Sequence, residues 1–233
     1  YAKGTKKAVD SLNLEIKNGE IFGFLGPNGA GKTTTIKMIT GILDIEDGEI
    51  TINNHSIKNE PEEAKKCFGY VPDSPDMFLR LKGIEFLNLI ADIYHVPEKK
   101  RKERIKELTK AFGLENILDS QMISYSHGMR QKMMVVAALV HDPAVWILDE
   151  PLIGLDPSSA HQLKQMMKEH AKKNHAVLFS THVLEVAEKL CDRVIIINQG
   201  KIIYQGTLKE LKKDHKKEDL EEIFLRMTND ENV

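Results

Sequence analysis

The 233 residues are 41% apolar and 29% charged, the balance of an ordinary folded domain and not of a disordered chain. That length buries a core without disulfides, and the two cysteines, Cys67 and Cys191, lie far apart in no metal-binding spacing, which suits a reducing compartment and two small buried apolar groups. A formal net charge of −2 gives no general pull toward nucleic acid or an anionic membrane, and no apolar run approaches the ~20 residues of a membrane span.

The chain opens at Tyr1 rather than Met, so further upstream sequence is expected, and no secretory signal is visible. Residues 12–16 alternate like a strand. Residues 21–25 form a continuous apolar run around Gly23 that leads into Gly26, which predicts a buried strand, and residues 33–43 then take helical spacing. Residues 49–57 alternate again, with Asn53-Asn54 as a turn, and 67–71 predict another short strand. From 83 to about 113 the pattern is helical with a break at Pro97, and 129–141 predict a further helix stopped by Asp142-Pro143. Beyond it come a strand at 145–148, an amphipathic helix at 158–173 capped by Ser158 or Asp156, a strand at 176–180 and a helix at 183–191. Residues 193–198 and 201–204 flank Gln199-Gly200 as a hairpin. From 208 onward the chain is helical and charged, with Leu220, Ile223, Phe224 and Met227 spaced to pack on the core. The lysine-rich runs at 99–106 and 209–217 read as solvated helix faces. The strand–helix alternation predicts an α/β core around a parallel sheet, interrupted by a helical insertion over 83–141.

Residues 26–33 read G-P-N-G-A-G-K-T, matching G-x-x-x-x-G-K-[ST] between a predicted strand and a predicted helix. Glycines let successive backbone N–H groups curl inward, and the helix N-terminus adds about half a positive charge. Lys32 is placed for the β- and γ-phosphates of a nucleotide and Thr33 for a magnesium ion. Residues 145–150, V-W-I-L-D-E, end a buried strand in two carboxylates, at the edge where α/β sheets bind ligands. Beside a phosphate loop, Asp149 is expected to hold the metal, directly or through water, and Glu150 to take a proton from an attacking water. His182 ends the next strand and could bond the γ-phosphate or hold that water. Residues 124–131, S-Y-S-H-G-M-R-Q, leave a choice between a Ser126-His127 nucleophile pair and a phosphate clamp, although adjacent residues at a helix start rarely face each other.

In order and spacing these motifs resemble the ATP-binding cassette (ABC) family, specifically the nucleotide-binding subunits of bacterial exporters of drugs, antibiotics or bacteriocins. The resemblance covers nearly the whole chain. It implies one ATP-binding domain over 1–233, with a P-loop NTPase core on a parallel sheet, an antiparallel β subdomain, a helical signature-motif insertion over about 83–141 and C-terminal helices over 207–233. It implies that Gly26, Pro27, Asn28, Gly29, Ala30, Gly31, Lys32, Thr33 and Thr34 bind ATP, that Tyr1 stacks on adenine, and that Thr33, Asp149 and Asp73 attend Mg²⁺. Glu150, His182 and Lys32 would carry hydrolysis. Ser126 and Gly128 would bind the γ-phosphate of ATP held by a second subunit, alike or related, rather than act as a nucleophile site.

The same resemblance implies a separate membrane permease docked on residues 74–87, a place at the cytoplasmic face of the membrane, and no nucleic-acid partner. Met77, Phe78, Leu79 and Leu81 in that segment are too apolar for a free loop. An ABC ATPase acting on ribosomes or DNA, and a small-molecule kinase, are the competing readings. Four positions depart from the family pattern: Asp73 stands for a glutamine, His127 for a glycine, Met129 for a glutamine, and Ile153 for a hydroxyl or amide residue.

Overall fold

A computed structural model describes residues 7–214 and 219–229. The chain enters through β1 (Ile21–Leu25), α1 (Lys32–Ile39), β2 (Thr51–Ile52), β3 (His55–Ser56), α2 (Pro61–Lys66) and β4 (Phe68–Val71). A helical block follows, α3 (Gly83–Ile93), α4 (Glu98–Ala111) and α5 (His127–Leu139). Alternation resumes with β5 (Val145–Leu148), α6 (Pro157–Lys172), β6 (Ala176–Thr181), α7 (Leu184–Leu190), β7 (Arg193–Asn198) and β8 (Lys201–Gly206), closed by α8 (Leu208–Asp214) and α9 (Leu220–Asn229). No helix among the described residues is long and apolar enough to cross a membrane.

The main sheet runs β4-β5-β6-β1-β7-β8, parallel throughout except for the antiparallel β7–β8 pair. Every residue of β1 is buried, as a strand covered by helices on both faces requires. β1 pairs in parallel with β6 and β7, and β6 pairs in parallel with β5. The loops after β5, β6 and β1 therefore leave the same edge of three neighbouring strands. One face of the sheet carries α3, α5 and α6 over Trp146, Leu148 and Phe179. The other packs Phe22, Phe24 and Ile147 against Ile36 of α1 and Ala64 of α2. Leu220, Ile223 and Phe224 of α9 are buried against Leu25 and Ile196, as their spacing predicted.

Several expectations are corrected. Leu12, Leu14 and Ile16 do turn inward, but residues 12–16 form no ladder among the described residues; alternation sets which side chains face the core, and a strand also needs a partner backbone. The six-residue α2 escaped notice because it is shorter than two helical turns. α5 starts at His127, two residues earlier than predicted, because Ser126 is its cap and accepts a bond from Met129 N at 3.3 Å. Asp156, not Ser158, caps α6, through Ser159 N at 2.9 Å. Both cysteines are free and only partly buried. The lysines of α4 are exposed as predicted.

Two histidines, His170 buried and His141 half-buried, give the fold a pH limit. His141 stacks on Tyr94 with ring centroids 3.6 Å apart, and His170 lies between Trp146 and His175. Burial is the main cause that pushes His141 from 6.5 to about 4, aided by the Arg104 charge. Burial, then the neighbouring His175, does the same to His170, also from 6.5 to about 4. A lowered folded value means that the neutral ring is favoured in the native state. That stability is complete above pH 6.5 and is lost as pH falls toward 4. After allowance for solvent screening, the pair should forfeit on the order of 2 kcal/mol at about pH 5. Thermal unfolding should show a midpoint roughly 5 °C lower there than at neutral pH, and a His141→Gln, His170→Gln double variant should show a flatter profile.

Candidate functional site

The phosphate loop leaves the middle of the sheet. Gly26 follows Leu25 directly, and Gly31 caps α1 at φ 111°, a left-handed conformation in which a side chain is strained. A Cβ at Gly31 would also lie 2.7 Å from the carbonyl oxygen of Ala8. Ala30 is buried, Asn28 and Gly29 are exposed, and Pro27, Thr33 and Thr34 are half-buried along the rim. The first-turn N–H groups of α1 have no acceptor within the helix, and no side chain caps them. Lys32 folds over its own loop. Its Nζ donates to Gly26 O at 2.7 Å and Pro27 O at 3.2 Å, and stands 3.4 Å from Glu150 Oε1.

β5 delivers the carboxylates. Asp149 is fully buried, and its Oδ1 accepts a bond from Ser180 Oγ at 2.6 Å. Its Oδ2 is buried without a hydrogen-bond partner. Burial raises the Asp149 carboxyl above its ordinary range; the hydrogen bond from Ser180 and the nearby Thr33 hydroxyl oppose the rise, and the charges of Asp73 and Glu150 add to it. A buried carboxylate oxygen with no partner, beside a threonine hydroxyl, fits a divalent cation. No group of three or more His, Cys, Asp or Glu among the described residues could hold one alone, so an ion here would take its other ligands from water or phosphate oxygens. Asp73, although exposed, acts electrostatically on Asp149 and on Tyr70, whose buried hydroxyl has no hydrogen-bond partner.

Glu150 sits at φ 46°, an uncomfortable backbone for a residue with a side chain. Ser180 holds it there, accepting a bond from Glu150 N at 2.8 Å. The same hydroxyl thus orders both carboxylates, a role missed from the sequence; the available signal was a serine near the end of a strand next to β5. His182, just past β6, places Nδ1 at 3.2 Å from both Glu150 oxygens. Lys32, Glu150 and His182 therefore meet at one point, graded from buried lysine to exposed imidazole with side-chain exposures of 6%, 13% and 44%.

Ser126 and Gly128 lie elsewhere. Ser126 Oγ is engaged with Met129 N, and Gly128 lies against the carbonyl of Gly154. His127 leans over Gly154, not toward Ser126, which removes the nucleophile-pair reading. Among the described residues no hydrogen bond or ion pair joins this helix start to the phosphate loop. Tyr1 lies outside the described residues.

The family description ABC transporter matches residues 9–153. The chain is 35% identical over 224 residues to the ABC transporter ATP-binding protein NatA of Bacillus subtilis (strain 168), covering 96% of this chain and 91% of that protein. It is 36% identical over 210 residues to the linearmycin resistance ATP-binding protein LnrL of the same organism, covering 90% and 68%. A solved structure described as the ATP-binding subunit of an ABC transporter superposes with a TM-score of 0.92 at 33% identity, covering 98% of this chain and 96% of that one. The family match takes in more than half of the chain, and the relatives extend the likeness almost end to end: this chain belongs to the ABC transporter family as an ATP-binding domain.

Proposed function

We propose that the chain is the ATP-hydrolysing subunit of a membrane exporter, acting as a single domain at the cytoplasmic face. The observation that carries this reading is the meeting of Lys32, Glu150 and His182 where the loops after three neighbouring strands converge. The phosphates of ATP lie along the phosphate loop at residues 26–34, where Pro27 offers no N–H, and Lys32 exchanges its loop carbonyls for the β- and γ-phosphate oxygens. Glu150 accepts a hydrogen bond from the attacking water and takes its proton. His182, bonded to that carboxylate, orients it and closes the site on its exposed side. Thr33, Asp149 and Asp73 would hold Mg²⁺, which would supply positive charge beside the phosphates.

The outlying position of Ser126 and Gly128 supports a second subunit. A serine hydroxyl and a helix start make an anion site, and in a head-to-tail pair of chains that site closes on the partner's ATP. The segment 74–87 supports a permease contact. Met77 and Phe78 are 45% and 46% exposed, and Phe78 is held at φ 53° with its ring 5.4 Å from Phe86. Export rather than import is supported by the likeness to a resistance protein. The relatives' names support the transport reading over the ribosome or DNA reading.

Light scattering of the Glu150→Gln variant tests the sandwich. ATP should double its mass, because nucleotide that is not hydrolysed keeps two chains together. A mass that stays monomeric with ATP bound would exclude self-pairing and leave a different chain as the partner.

A further inference from the structure

The turn after β5 is held from two sides. Upstream, Ser180 fixes the backbone of Glu150. Downstream, residues 150–156 fold back on themselves through Ile153 N to Glu150 O at 3.2 Å and Leu155 N to Leu152 O at 3.4 Å. They then press against the first turns of α5. Gln131 Nε2 donates to Pro151 O at 3.5 Å, and Lys132 Nζ pairs with Asp156 Oδ2 at 3.1 Å. His127, itself exposed, lies over the turn as well. Gly154 stands at φ 76°, and a Cβ there would lie 2.5 Å from His127 Cδ2 and 3.0 Å from Nε2, so the imidazole fills the space that a side chain would take. Gly128 completes the fit, since a Cβ on it would lie 2.8 Å from Gly154 O. The helix start and the turn are thus interlocked, ring against glycine and glycine against carbonyl.

We propose that His127 is a positioning residue: its ring clamps the 150–156 turn to α5 and so fixes the direction in which Glu150 presents its carboxylate. The link to turnover rests on the reading that Glu150 acts in hydrolysis; the clamp itself does not. A strained residue keeps its conformation only while its surroundings over-determine it, and here one restraint, beside the Gln131 and Lys132 contacts, is a solvent-exposed ring lying over an exposed glycine. Because the ring acts by covering Gly154, its shape matters and its nitrogens do not. Movement of α5 would also reach Glu150 by this route.

The test compares His127→Ala with His127→Phe, which restores a flat ring, after unfolding curves establish that both variants are folded. Amide hydrogen exchange over residues 151–156 should rise about tenfold in the alanine variant and return close to the wild-type rate in the phenylalanine variant. ATP turnover should follow, with kcat falling about tenfold in His127→Ala at unchanged KM and largely rescued in His127→Phe. Wild-type exchange in His127→Ala overturns the clamp, whatever its activity. A raised KM with no rescue by phenylalanine overturns it too, because the imidazole would then be meeting nucleotide directly. Absence of ATP hydrolysis by the wild-type chain with its partners would count against the hydrolysis reading alone, since the exchange measurement stands without it.

Discussion

Glu150→Gln is expected to lower ATP turnover by about two to three orders of magnitude while ATP affinity stays close to wild type. The change keeps the volume of the side chain and removes its charge and basicity. Lys32, the phosphate loop and Asp149 keep their places, so phosphate binding survives. An amide cannot accept the proton of the attacking water, and its contact with His182 becomes an ordinary neutral hydrogen bond. The oxygen nearest Lys32, at 3.4 Å, also loses its charge, which frees the ammonium for phosphate and keeps affinity high. Phosphate release measured beside nucleotide titration separates the two effects. Turnover within a few-fold of wild type would remove Glu150 as the base and move that role to Asp73 or His182.

Lys32→Ala should do the reverse, weakening ATP binding by about 10- to 100-fold and turnover with it. A charge-assisted hydrogen bond is worth about 1.5–3 kcal/mol, and Lys32 is placed to make at least one to phosphate in a largely buried site. The resting contacts sharpen the expectation. Lys32 ties down Gly26 O and Pro27 O, so the variant loses order in the loop as well as a cation. Calorimetric titration with ATP reads the affinity, and an unchanged dissociation constant would show that the loop amides alone carry binding. Lys32→Arg should recover little, since a planar fork cannot occupy the curled space of an ammonium bonded to two loop carbonyls.

How much of this was legible in the sequence varies with the physics behind each feature. The phosphate loop was legible because glycine spacing encodes backbone curvature locally. β5 and β6 were legible because buried parallel strands read as apolar runs, and their last residues mark the ligand edge. The meeting of Lys32 with Glu150 spans more than a hundred residues, and no local pattern reports it. Ser180 was passed over because a strand-end hydroxyl has no periodic signature; its importance comes from lying beside β5 in the sheet. Residues 12–16 show the opposite failure, a clear alternation without a ladder. The departure at His127 was visible in the sequence, but the surface it touches belongs to a turn more than twenty residues away.

The left-handed backbone at Glu150 carries a consequence for how this protein ages and is improved. Glycine or asparagine would rest there more easily than glutamate, by about 1 kcal/mol. On the proposed role of Glu150, a screen for heat resistance alone would therefore favour replacing this residue and reward molecules that endure longer and no longer turn over. Any programme to harden the protein has to select for activity at the same time, or it will drift toward a durable cassette that binds its fuel and never spends it.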